Sequence, residues 1–154
     1  MPETNTKDKG DETEAKVIHE LIARGYSVSV PFGDNDKYDL IVDDGRSLLR
    51  VQCKTGWIED ECVRFKTASK TTVDGEVRRT DYEGEIEAFA IRCKDTGTLY
   101  WVPEKESGRK NTYLRVSDPK IDHPNVNLAT EYEFDANLPS IDASAAPAIE
   151  SSKD

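Results

Sequence analysis

The sequence predicts an α/β domain built on one central mixed β-sheet flanked by helices. Three observations carry that prediction. Val17, Ile18, Leu21 and Ile22 form an apolar stripe at helical spacing, and Gly25 closes it. Residues 38–54 read as a β-hairpin: a short apolar run, the turn residues Asp43-Asp44-Gly45, then an alternating run. Residues 88–102 repeat the pattern around Asp95-Thr96-Gly97. The predicted order is α-β-β-β, an irregular or short helical segment, then β-β.

Residues 1–8 are polar and aperiodic, and are expected to form a loose arm. The helix is expected from about Asp11, because acidic residues suit the positive end of the helix dipole. Glu14 precedes Val17 and Ile18 by three and four residues, so it projects from the buried stripe. A first-turn Glu reaching water and a functional carboxylate both fit that place. His19 lies off the stripe and His123 in a loop, neither with a His or Cys partner at ligand spacing, so both are expected at the surface. Residues 26–30, rich in β-branched side chains, form the first strand. Pro31-Phe32-Gly33-Asp34-Asn35-Asp36 then loops into the hairpin. Asp34 and Asp36 are either solvated or extra negative charge beside a cation.

Within the hairpin, Leu49, Val51 and Cys53 alternate with Arg50, Gln52 and Lys54. A two-residue loop at Asp44-Gly45 sets Asp39 across from Arg50; one at Gly45-Arg46 sets it across from Gln52. Either register puts the Asp39 side chain on the Gln52 and Lys54 face. A three-residue loop would put it with Val51 and Cys53, among apolar groups. The expectation is a carboxylate, an amide oxygen and an ammonium on one patch. Such a patch can hold a divalent cation and position a water beside a phosphate. A hairpin with an ordinary polar outer face has the same spacing.

Beyond Lys54, residues 62–67 alternate Val63 and Phe65 with Arg64 and Lys66, as another strand would. Residues 66–79 are polar, hydroxyl-rich and basic. They read as a solvated loop or as a phosphate-contacting segment using Lys66, Thr67, Ser69, Lys70, Arg78 and Arg79. Residues 82–86 suit a short helix or turn, 103–110 a charged loop and 113–116 an edge strand. Phe89 and Trp101 are expected in the core. From Pro139 onward the chain is rich in Ala, Ser and Pro and lacks a core face, so it is expected to be disordered. The domain is therefore set at 9–138, with an arm at 1–8 and a tail at 139–154.

A chain of 154 residues is one domain plus tails. No apolar run is long enough to cross a bilayer and no signal pattern opens the chain, so a cytoplasmic protein is expected. Cys53, Cys62 and Cys93 have no paired metal spacing and fit reduced thiols. The net charge of −10 is unevenly placed. Residues 1–45 carry 5 basic and 11 acidic side chains, 46–120 carry 15 and 13, and 121–154 carry 1 and 7. Only the middle section suits a phosphate partner. The acidity is similar to that of proteins from salt-accumulating organisms, whose surfaces are acidic whatever their function. Net charge therefore does not exclude nucleic acid.

Asp39, a hairpin and then Gln52-Cys53-Lys54 resembles the PD-(D/E)xK nuclease superfamily. More narrowly, it is similar to the branch of group I intron-encoded homing endonucleases, in which Gln replaces the acidic residue of the last motif. The similarity runs from Lys9-Gly10-Asp11 through Glu14-Ala15-Lys16, Pro31-Phe32-Gly33-Asp34-Asn35 and Tyr38-Asp39 to Val51-Gln52-Cys53-Lys54-Thr55. It resumes at Tyr82-Glu83-Gly84-Glu85-Ile86 and fades after Pro103. Tyr38 stands where the family usually has Pro.

The resemblance implies a restriction-endonuclease-like core and a DNA endonuclease that hydrolyses phosphodiester bonds with Mg²⁺, or Mn²⁺ in its place. It implies Glu14, Asp39, Gln52 and the Cys53 backbone carbonyl as metal ligands. Lys54 would position or deprotonate the attacking water. It also implies DNA contacts within 66–79 and a homo-oligomer, dimer or tetramer, since one site per chain must be doubled to cut both strands. Two further readings share the fold. One is a structure-selective enzyme resembling a Holliday-junction resolvase, which also pairs a helical Glu with this strand motif. The other is a DNA-binding module that has lost cleavage, against which the intact Glu14, Asp39, Gln52 and Lys54 set argues.

Overall fold

A seven-stranded mixed sheet, with one long helix over one face, forms the body of the molecule. The structure, a computed structural model, describes residues 6–33, 36–73, 76–81, 84–107, 111–116 and 128–141. The expectations for Asp34, His123 and residues 142–154 lie outside the described residues.

Helix α1 (Thr6–Ala23) begins earlier than the sequence suggested, so residues 6–8 of the expected arm are helical. Its end is where Gly25 placed it. The Tyr26 N–H bonds the Leu21 carbonyl at 3.1 Å and the Gly25 N–H bonds that of Ile22 at 3.0 Å. Gly25 supplies the left-handed turn, φ 93°, that this pair of bonds requires. Val17 and Leu21 are fully buried and Ile18 packs at the margin, but Ile22 is 57% exposed. The stripe is shifted from the one expected: Thr13, a full turn before Val17, is buried in it.

Strands β1 (Ser27–Ser29), β2 (Leu40–Asp43) and β3 (Leu48–Glu59) form an antiparallel meander. On its other edge β3 pairs in parallel with β7 (Ala88–Cys93), which pairs antiparallel with β8 (Leu99–Pro103). The far end of β3 turns into β4 (Cys62–Lys66), whose other edge carries β9 (Asn111–Arg115).

Phe65 of β4 packs on Phe89 of β7 with ring centroids 5.6 Å apart, so the β4–β9 arm curls over the face opposite α1. Gly56 sits at that bend. A Cβ there would stand 3.0 Å from the Arg64 carbonyl oxygen and 3.0 Å from Ile91, so any larger residue would have to push the two strands apart by a few tenths of an ångström. Two apolar layers result. Val17, Leu21, Val51, Cys53, Ala88, Ala90 and Trp101 pack beneath α1, while Phe65, Phe89, Ile91, Val102 and Leu114 fill the other side.

Two segments differ from expectation. Residues 68–81 form a separate two-stranded ribbon, β5 (Ala68–Val73) and β6 (Glu76–Asp81), where a loop was expected. Near the C-terminus, a short helix α2 (Phe134–Asn137) buries Phe134 edge-on to Trp101. The Tyr26 hydroxyl donates to the Pro139 carbonyl. The chain from Pro139 to Ile141 therefore belongs to the fold and not to a tail beginning at 139.

Candidate active site

A gap in the sheet organises the site. β2 pairs with β3 up to Val51 and β4 pairs with it from Trp57 onward, whereas β7 runs alongside from Val51 to Gly56. The Arg50 and Gly56 carbonyls accept bonds at 2.9 Å from Glu87 and Lys94 on the β7 side. Peptide groups alternate between the two edges of a strand, so those of Val51, Cys53 and Thr55 face the other way, toward the gap. Asp39 fills it. Its N–H bonds the Val51 carbonyl at 2.8 Å, and its carboxylate accepts the Cys53 N–H at 2.8 Å. A buried N–H without a partner is costly, and here a side chain does the work of a missing strand.

This geometry corrects the parity argument at its last step. The loop is the two-residue Gly45-Arg46 type, and its register continued by one residue would set Asp39 across from Gln52. The ladder stops short of that. Asp39 shares Val51 with Leu40, two residues against one, as in a β-bulge. Its carboxylate therefore lies along the strand edge instead of on the Gln52 and Lys54 face. Tyr38, in the usual place of Pro, anchors this turn by packing on the second apolar layer.

The sheet separates the remaining groups. Val51 and Cys53 pack beneath α1, the helix that carries Glu14. Gln52 and Lys54 alternate to the opposite face, level with Phe89 and Ile91 in register. Asp39, at the edge, is in reach of both sides. Glu14, Asp39, Gln52 and Lys54 are each half-buried.

Electrostatics ties them together. Burial first, then Asp39 and Asp11, raise Glu14 above the usual carboxylate range. Burial also raises Asp39, against the opposing pull of the Cys53 N–H and of Lys54. Two half-buried carboxylates, of which Asp39 raises the proton affinity of Glu14, hold negative charge that a cation would neutralise. Among the described residues no three His, Cys, Asp or Glu side chains converge on one point. A cation here would thus rest on two carboxylates and on neutral oxygens; the Cys53 carbonyl turns toward the gap, while the Gln52 amide starts from the opposite face. The Cys53 side chain packs in the layer beneath α1, and burial, Asp39 and Glu14 push its thiol well above the ordinary value.

The expected phosphate contacts divide. Lys66 is exposed. Thr67 is 2% exposed, so it points into the protein, contrary to expectation. Ser69, Lys70, Arg78 and Arg79 belong to the β5–β6 ribbon, whose register sets Lys70 opposite Arg79 and Ser69 opposite Thr80. Asp36 is exposed. Thr13, Thr55 and Arg92, none of them expected at the site from sequence, meet through their side chains between α1, β3 and β7. The signal for Arg92 was available, as the one charge inside the apolar run of β7.

A profile of PD-(D/E)XK endonucleases matches residues 4–135. A search of curated proteins found no match. Among solved structures, the bacterial homing endonuclease I-Ssp6803I aligns with a TM-score of 0.70 and 23% identity, over 84% of this chain and 89% of that one. Hjc of Archaeoglobus fulgidus, a Holliday junction resolvase from an archaeal hyperthermophile, aligns with a TM-score of 0.43 and 17% identity, over 70% and 84%. The first of these likenesses, together with the sheet and its helices, makes the fold the restriction-endonuclease-like α/β core that the sequence predicts.

Proposed function

The chain belongs to the PD-(D/E)XK endonuclease family, and from that premise we propose that it is a Mg²⁺-dependent endonuclease cutting phosphodiester bonds in DNA. One observation carries the reading: the Asp39 carboxylate, held in the β3 gap by the Cys53 N–H, lies close enough to Glu14 to raise its proton affinity. Asp39 and Glu14 would hold the cation, with the Gln52 amide oxygen and the Cys53 carbonyl as further donors; Mn²⁺ would serve in place of Mg²⁺. When bound, the ion polarises the phosphate and acidifies water. Asp39 keeps its place because its second oxygen is already committed to the backbone. Lys54 orients the attacking water and offsets the charge that builds on the phosphate as the bridging oxygen leaves. Gln52 in place of an acid lowers the negative charge of the site, so the cation is held less tightly than with Glu there.

DNA is the substrate and the β5–β6 ribbon is its contact. A two-stranded ribbon fits the major groove. The register sets Lys70 opposite Arg79, so two basic residues share one rung of the ribbon. Lys66 extends the same contact. A dimer or tetramer brings two sites to one duplex. Three free thiols, two of them buried, suit a reducing cytoplasm. Among the described residues no helix is long and apolar enough to cross a membrane.

The test is incubation with linear, supercoiled and branched DNA, in Mg²⁺, Mn²⁺ or chelator, at low and molar salt. Metal-dependent cutting of duplex DNA is expected. Cutting confined to branched DNA would make the enzyme a junction resolvase, and binding without cutting would make it a non-catalytic module.

A further inference from the structure

We propose that Arg92, through Thr13 and Thr55, is a positioning residue that holds Glu14 at the gap. The inference rests on the metal-site reading above. Arg92 shares a face of β7 with Ala88 and Ala90, pointing toward α1, and its side chain is only 12% exposed. Its Nε donates to the Thr13 hydroxyl at 3.0 Å. The Thr13 and Thr55 hydroxyls lie 2.6 Å apart, and Thr55 donates to the Lys9 carbonyl at 3.3 Å. A guanidinium only donates and a carbonyl only accepts, so the whole chain has one direction. Arg92 gives to Thr13, Thr13 to Thr55, and Thr55 to Lys9.

The ends of this relay are informative. Thr13 immediately precedes Glu14, and Thr55 immediately follows Lys54. The relay thus bolts the helix that carries one site residue to the strand that carries another. It does so where the core does not reach. The first seven residues of α1, Thr-Lys-Asp-Lys-Gly-Asp-Glu, include no apolar side chain, and the first fully buried apolar anchor is Val17. An apolar contact would press the helix onto the sheet without fixing its rotation. Directional bonds from a nearly buried cation fix it, and with it the direction in which Glu14 leaves the helix. Glu12, 3.7 Å from the Arg92 guanidinium, balances its charge from the outer side.

The test uses the full chain without DNA. Mn²⁺ affinity is measured by electron paramagnetic resonance in the wild type, Thr55→Val, Glu14→Gln and the double variant, with amide hydrogen exchange alongside. Thr55→Val keeps the shape of the side chain and breaks the relay at its middle. We expect exchange of residues 9–14 to rise about tenfold while β3 and β7 stay protected. Mn²⁺ affinity should fall about tenfold, the scale on which such supporting groups act. In the Glu14→Gln background Thr55→Val should weaken Mn²⁺ no further, because the relay acts through Glu14. Arg92→Lys, which keeps the charge and loses the Nε geometry, should reproduce the pattern. Unchanged affinity in Thr55→Val, or a loss that adds in full to that of Glu14→Gln, overturns the positioning role and leaves the metal site standing. Absence of Mn²⁺ binding by the wild type overturns the metal-site reading, and this inference with it.

Discussion

Under the proposed mechanism Asp39 does two jobs with one carboxylate, holding the cation and the Cys53 N–H, and two substitutions separate them. Asp39→Asn keeps an acceptor for the Cys53 N–H and loses the charge, so cleavage should vanish while DNA affinity stays nearly unchanged. Asp39→Ala orphans that N–H as well, at about 1–3 kcal/mol, and its melting temperature should fall below that of Asp39→Asn by several degrees. Equal melting temperatures for the two would mean that the bond to Cys53 contributes nothing. The pH dependence has a definite sign. Glu14 and Asp39 both lie above their unfolded values, so the native state binds more protons than the unfolded chain. Their contribution is most favourable below the unfolded carboxylate range and is lost as pH rises through the raised native values. Without metal, Glu14→Gln should lose less stability than the wild type between pH 4 and 7, as read by thermal melts. Gln52 separates differently. Gln52→Glu should lower the Mg²⁺ concentration needed for single-turnover cleavage, and Gln52→Ala should raise it. Identical Mg²⁺ titrations in all three proteins would leave the site to Glu14, Asp39 and Lys54.

At the scale of elements, local signals were legible and context-dependent ones were not. Gly25 announced the end of α1 because a left-handed cap needs only its own residue. Residues 38–54 announced a hairpin because turn chemistry and alternation agreed. The bulge at Asp39 was hidden, since it depends on where β2 runs out against β3. The β5–β6 ribbon was hidden for another reason: charge and hydroxyls outnumber its β-branched Thr71, Thr72, Val73 and Val77, so its composition is that of a solvated loop. Phe134 went unnoticed because a four-residue helix has no periodicity to detect. It carries a prediction. Cutting the chain after Leu138 removes the Pro139 carbonyl that Tyr26 uses and the Ile141 side chain beside Gly25. That truncation should lower the melting temperature by about 2–4 °C, the response of a domain of this size to roughly 1 kcal/mol. An unchanged melting temperature would show that residues 139–141 add nothing to the fold.

For the whole molecule, the excess of 31 acidic over 21 basic side chains sets the response to salt. If the acidity is an adaptation to high salt, the melting temperature should climb with KCl into the molar range as repulsion is screened. A flat or falling curve would mark the acidic ends of the chain as a binding surface instead. The gap in the sheet has a longer reach than catalysis. Because Asp39 caps the Cys53 peptide group beside the proposed cation site, position 39 answers to folding as well as to the proposed chemistry. A descendant that had abandoned DNA cutting would be released from the second demand and not from the first. It would still need an acceptor at position 39. Relatives lacking Lys54 should therefore retain Asp, Asn, Ser or Thr there, and a family tree rich in apolar residues at that position would contradict the idea. The oldest trace of a vanished enzyme would be a hydrogen bond.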